Sequence, residues 1–223
     1  MNKTAIIIGA TGLIGKNLLQ QLLQDEDYSI IKIFVRRPTG IQHKKLREMV
    51  IDFEKIEEVK DKIEGDVLFS CLGTTLKQAG SKQAQYQVDY TYQYQFAKLS
   101  SENGVHDYLL VSSTSANAKS FFFYSRIKGA LEDAVRKLSF KRIIILQPSV
   151  LAGERDKDRT GEKWGAAIIN TLGKIFPPLR KYRSIRGSTV AAAMVALSKS
   201  EQKNKVSVYQ LDEIQHLAEN TIS

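Results

Sequence analysis

The chain has 223 residues, 43% hydrophobic and 26% charged, with a formal net charge of +9, which suits one domain large enough to bury a real core. No apolar run approaches the roughly 20 residues that span a bilayer, so no membrane span is expected. One cysteine, Cys71, excludes an internal disulfide, and His43, His106 and His216 lack metal-ligand spacing, so no metal is expected and the compartment is read as reducing and cytoplasmic.

Strands and helices alternate along the chain. TAIIIGA (4–10) is an apolar run ending in glycine, and LIGKNLLQQLLQ (13–24) has the three-to-four-residue spacing of an amphipathic helix. Glycine spacing and the polar KNLLQQLLQDED argue for strand, turn and helix there rather than a secretory signal. SIIKIFVRR (29–37) is a second β-branched strand closed by Pro38. A third strand lies near KLREMVIDF, a charged helix over EKIEEVKDKI, and a fourth strand in DVLFSCLG. Residues 83–104 read as a long helix ending at Gly104, VHDYLLVSS as a fifth strand, Phe121–Leu138 as a helix and KRIIILQPS as a sixth strand ended by Pro148. After Val150 the rhythm breaks into a polar loop, a short helix around Trp164–Leu172, a basic stretch, a helix near Val190–Leu197 and a last strand, VSVYQL. Such alternation predicts an α/β fold, a doubly wound, Rossmann-like parallel sheet in a single domain over 1–223, with 151–187 as a small irregular substrate lobe.

The first turn carries the strongest signal. GATGLIG places glycines at 9, 12 and 15, directly after the first strand and opening the first helix. Gly9 permits the tight turn, Gly12 lets the backbone approach a pyrophosphate, and Gly15 allows close helix–strand packing. Thr11, Gly12, Leu13, Ile14 and Gly15 then offer the phosphates the unpaired N–H groups and positive end of a helix. The second strand ends in Val35-Arg36-Arg37-Pro38, with no acid to accept from the ribose 2′-OH of NAD; two guanidiniums can instead pair with a 2′-phosphate, so NADP(H) is expected. Asp52 and the turn Leu72-Gly73-Thr74 fall at the same sheet edge, where an adenosine would pass.

The spacing Tyr-x-x-x-Lys occurs three times, so spacing alone decides nothing. Tyr28/Lys32 straddles entry to a strand, and Tyr94/Lys98 has no hydroxyl-rich segment before it. Tyr124/Lys128 follows a strand ending in Val111-Ser112-Ser113-Thr114-Ser115, so a hydroxyl and a helix-borne phenol can converge on one crevice. Such a trio suits proton transfer to a carbonyl receiving hydride: a cation one helical turn from a phenol stabilises its phenolate, and a serine hydroxyl donates to the substrate oxygen as charge grows on it. Phe121–Phe123 are expected to form an apolar wall of that pocket.

GATGLIG, VRRP, SCLGTTLKQAGS with QVDYTY, LLVSSTSANAKSFFFYSRIKGALEDAV and QPSVLAGERDKDRTGE together resemble the atypical, Tat-interacting-oxidoreductase-like branch of the short-chain dehydrogenase/reductase superfamily. The resemblance covers most of the chain. It implies bound NADP(H), catalytic roles for Tyr124 and Lys128 with Lys128 also on the nicotinamide ribose, and Ser113 as the serine, with Ser112 and Thr114 as competitors. It further implies that Pro148, Ser149 and Val150 border the nicotinamide. Two departures stand out: Gln147 replaces an arginine frequent before that proline, and the asparagine of the usual proton relay has no match, although Asp89 lies in the neighbouring helix region.

The leading expectation is an NADPH-dependent oxidoreductase acting on a small carbonyl substrate. The alternatives are an NADP(H)-sensing regulatory protein and, with only about 70 residues after Val150 for a sugar lobe, a sugar-nucleotide epimerase. KIFPPLRKYRSIR (174–186) carries five cations and no acid; a solvated loop over a pocket for anionic ligands is preferred to a nucleic-acid surface, and a protein partner or homodimer stays open.

Overall fold

The computed structural model describes residues 2–149, 151–152, 184–201 and 204–222, with side chains described as far as 219. A parallel sheet of seven strands forms the centre. In chain order these are β1 (Lys3–Ile8), β2 (Tyr28–Val35), β3 (Leu46–Val50), β4 (Val67–Ser70), β5 (Asp107–Val111), β6 (Arg142–Gln147) and β9 (Val206–Gln210). Their order across the sheet is β3-β2-β1-β4-β5-β6-β9, and every neighbouring pair is parallel. Between them, β7 (Leu151–Ala152) and β8 (Ile185–Arg186) form a separate two-strand pair.

Side chains alternate across each strand, so each run of buried residues feeds two cores. Ala5 and Ile7 of β1 join Ile31, Ile33 and Leu109 in one core, packed with Leu18, Leu19 and Leu22 of α1 (Leu13–Gln24). Ile6 and Ile8 face the other, with Phe34, Leu68, Tyr108 and Phe96. Burial on both faces explains why the central strands read as continuous apolar runs.

The helices fall close to their expected places, with differences that have physical causes. EKIEEVKDKI winds as a 3-10 segment, Phe53–Lys62, opened by the Asp52 carboxylate accepting the Glu54 N–H at 2.9 Å. A one-turn α2 (Leu76–Ala79) precedes the expected long helix, which is broken into α3 (Lys82–Tyr86), a π-helical turn (Gln87–Thr91) and α4 (Tyr92–Glu102). Helix α5 (Phe123–Val135) begins two residues later than expected because Phe122 is extended. Helix α6 (Gly187–Lys199) contains the expected 190–197 segment, and α7 (Leu211–Ile222) follows β9 directly, beyond what the last apolar run suggested. The expected Trp164–Leu172 helix and most of the proposed lobe lie outside the described residues.

Candidate functional site

The strand order reverses between β1 and β4, and the loops leaving these two strands part to form a crevice at the C-terminal edge of the sheet. Gly9 turns there with φ +80°, and a Cβ on it would stand 2.5 Å from the Cys71 carbonyl carbon. Gly15 lies so near that turn that its Cβ would meet the Gly9 carbonyl oxygen at 2.0 Å. Only glycine permits either contact, so the close approach of loop, helix and neighbouring strand is built into these positions. No side chain caps α1, and the N–H groups of its first turn are left to the crevice.

A cavity of about 700 Å³ opens at this point. Of the expected cofactor residues it is lined by Gly9, Thr11, Gly12, Arg36, Asp52 and, across the crevice, Leu72, Gly73 and Thr74. Leu13, Ile14 and Gly15 are not in the lining; the Ile14 side chain is buried in the core, so its backbone N–H is what it can offer. Arg37 is exposed beside Arg36 but does not border the cavity. Cys71 also lines it, and burial pushes its thiol up to about 12, so at neutral pH it is an uncharged wall.

Tyr124 and Lys128 lie outside that lining, on the first two turns of α5, with the Lys128 Nζ 6.0 Å from the Tyr124 ring centroid. Tyr124 is exposed whereas Lys128 is 3% exposed. Lys128 pairs with Asp89, Nζ to Oδ1 at 3.1 Å, inside the protein. Burial acts to lower the pKa of this lysine, but the Asp89 carboxylate outweighs it, leaving the ammonium held above its ordinary value. Asp89 Oδ2 accepts the Thr74 N–H at 3.3 Å, so one carboxylate connects the helix-borne lysine to the cavity-lining turn.

The three competing hydroxyls are sorted by their partners. Ser112 is buried and donates to Glu132 Oε1 at 2.5 Å, and Gln147, at the expected arginine position, donates to the same carboxylate at 2.9 and 3.1 Å. Ser113 and Thr114 are half-buried; the Ser113 Oγ lies 3.2 Å from that of Ser115, and the Thr114 N–H reaches the Pro148 carbonyl at 3.0 Å. Gly129, directly after the lysine, lets the loop before α5 lie on the helix: a Cβ there would stand 2.2 Å from the Ala118 nitrogen. Phe121 and Phe122, expected as pocket wall, are instead 93% and 74% exposed, and Phe123 sits under the Lys82 and Arg126 cations. Three consecutive residues entering a helix cannot all face one pocket. Val150 and residues 174–183 of the basic stretch lie outside the described residues.

A family model described as NAD(P)H-binding matches residues 9–201. The chain belongs to this NAD(P)H-binding family. Among its relatives, the protein FMP52, mitochondrial, of Eremothecium gossypii is 33% identical over 97% of this chain and 99% of its own. The rat protein HTATIP2 is 35% identical over 77% of this chain and 72% of its own. The fold matches MoeE5, solved with UDP-glucuronic acid and NAD, at a TM-score of 0.68 and 15% identity, over 98% of this chain and 82% of that one. An Agrobacterium tumefaciens short-chain dehydrogenase/reductase superfamily protein with bound NAD matches at 0.68 and 13% identity, over 97% and 81%. This NAD(P)H-binding chain is thus of the atypical short-chain dehydrogenase/reductase type.

The relatives correct one expectation. Several FMP52 proteins among them are named mitochondrial, which overturns the cytoplasmic placement. A lone cysteine cannot form an internal disulfide in any compartment, so it never reported location. Among the described residues, no helix is long and apolar enough to cross a membrane, and no group of three or more His, Cys, Asp or Glu could hold a metal ion. Sequence reasoning noted Asp89 without giving it a partner; the π turn that aims it has no periodic signal that could have exposed it.

Proposed function

We propose that this protein is an NADPH-dependent reductase of a small carbonyl compound. The observation that carries the reading is an accessible phenol, Tyr124, one helical turn from a buried charged lysine, which Asp89 connects to the cavity-lining turn at Thr74. The glycine turn fits a dinucleotide, because glycine at 9 and 15 lets the loop after β1 pack against the Cys71 backbone and against the start of α1, which brings the open helix N-terminus to the cavity. The first turn of α1 would hold the phosphates, Asp52, Leu72, Gly73 and Thr74 the adenosine side, and Lys128 the nicotinamide ribose, with Pro148 and Val150 bordering the nicotinamide.

Arg36 supports NADPH over NADH: β2 ends without an acid, and this guanidinium lines the cavity where a 2′-phosphate would sit. Bound NADPH supplies the hydride. Tyr124 gives its phenolic proton to the substrate oxygen, and Ser113 donates a hydrogen bond to that oxygen as negative charge develops. The positive charge of Lys128 stabilises the phenolate left behind. Ser112 is already committed to Glu132, which favours Ser113 for this role. Residues 151–187, most of which lie outside the described residues, are assigned as the substrate lobe.

A panel of aldehydes, ketones and quinones, followed by NADPH absorbance at 340 nm, tests the proposal. Turnover of at least one class is expected. Absence of NADPH binding at millimolar cofactor would defeat both this reading and a cofactor-sensing one, whereas binding with no turnover across the panel would leave only the latter.

A further inference from the structure

Lys128 holds a charge where charge is costly. Its side chain is 3% exposed, and an ammonium at that depth without a counter-ion gives up its proton far below the usual lysine range. The ionisable groups acting on it are Asp89 from the π turn and Tyr124 and Glu132 from its own helix. Glu132 is already engaged by Ser112, Gln147 and Arg136, and Tyr124 is needed as a neutral donor. Asp89, itself fully buried and 3.1 Å away, is therefore the counter-ion.

Three features aim that carboxylate. The π turn, closed by the Tyr92 N–H on the Gln87 carbonyl five residues back, displaces the helix by one residue at this point, a distortion common at functional sites. The Gln93 side chain donates to the Asp89 carbonyl at 2.9 Å and accepts from Ser70 Oγ at 2.8 Å, fastening the turn to the end of β4. On the cavity side the Thr74 N–H donates to Oδ2 at 3.3 Å, and Gly73 lies next to Oδ1.

We infer that Asp89 is the positioning residue of this site: it keeps Lys128 charged and aligned with Tyr124, and it joins that lysine to the cofactor-binding turn at Thr74. The carboxylate does what an amide of the same shape could not, because an amide cannot balance the ammonium. A cofactor bound against Gly73 and Thr74 would thereby be kept in register with the proton-donating pair on α5 through this buried carboxylate. The inference rests on the reductase reading for its catalytic consequence, but its test needs no turnover.

The test compares wild type with Asp89→Asn, each labelled with 13C-lysine, following the Lys128 Cε resonance from pH 6 to 10 and measuring NADPH affinity by fluorescence. In wild type the resonance stays ammonium-like up to at least pH 9. In Asp89→Asn its titration falls by about two pH units or more, and NADPH binding at pH 8 weakens by about tenfold, recovering partly toward pH 6 as the lysine is reprotonated. A Lys128 titration unchanged by Asp89→Asn would overturn the inference. Should that variant fail to fold, wild type decides alone: loss of the Lys128 proton below pH 9 overturns it, and retention supports it. A protein without turnover that still shows these signals sinks the reductase reading and leaves the role of Asp89 standing.

Discussion

Arg36 and Arg37 were equivalent in the sequence, both next to a strand end and both candidates for a 2′-phosphate. The structure separates them, since the cavity reaches Arg36 and not Arg37. Arg36→Ala is accordingly expected to weaken NADPH binding by about tenfold, the worth of a charge-assisted pair at an accessible site, while NADH affinity changes by less than about twofold. Fluorescence titration with both cofactors checks this, and equal losses would remove Arg36 from the 2′-phosphate. Of the three Tyr-x-x-x-Lys pairs, the two set aside have structural partners. Tyr28 is buried with its hydroxyl on Ser198 at 2.7 Å, and Lys98 pairs with Glu102 at 3.7 Å. Which serine faces the crevice was not legible, because one step along a strand end turns a hydroxyl from the crevice to the core; the Glu132 partner of Ser112 stands 20 residues further along the chain, beyond any local pattern.

Among the elements, those with strong apolar periodicity were legible to within about three residues: α1 falls on 13–24 as read, and the six strands up to β6 each lie within the runs read for them, give or take a residue at the start. Elements whose form depends on tertiary contacts were not. The charged segment after β3 became 3-10 rather than α-helical, and the π turn arises where Asp89, Gln93 and Ser70 satisfy one another. Gly129 is an element-scale device as well. The Asn117 N–H reaches the Ser125 carbonyl at 3.0 Å, and the loop lies directly on the bare Cα of Gly129. Gly129→Ala is expected to push this loop away from α5, lowering stability by about 1–3 kcal/mol and reducing turnover several-fold, with NADPH affinity nearly unchanged. Chemical denaturation and cofactor titration separate these effects; an unaltered unfolding midpoint would show that the loop gives way without cost.

For the molecule as a whole, strand–helix alternation was sufficient to expect a doubly wound parallel sheet, because short connections and right-handed crossovers leave few other arrangements. It gave no hint of α7, which follows β9 with no turn residue between them. One ionic contact ties the two ends of the fold: Lys199, closing α6, reaches Asp25 and Asp27 before β2, the latter at 2.8 Å. Its hydrogen bond and charge hold the Asp27 carboxyl below its ordinary range. Burial acts to lower Lys199, but these two acids leave it raised. The acid side of the contact is thus fully present above the ordinary aspartate value and is lost as pH falls through the lower, folded value. The lysine side is present below the ordinary lysine value and is lost as pH rises beyond it. Thermal unfolding should therefore show a stability decline below about pH 4 that is shallower in Lys199→Met, and identical acid limbs for the two proteins would rule the contact out as a contributor.

In the proposed reduction Tyr124 donates the proton while the crevice binds the cofactor independently of it. The most direct measurement is NADPH oxidation at 340 nm with the best substrate of the carbonyl panel, wild type against Tyr124→Phe, with NADPH affinity measured on the same preparations. A loss of rate of about 100-fold or more is expected, with cofactor affinity within about twofold of wild type. Turnover by Tyr124→Phe at the wild-type rate would contradict it.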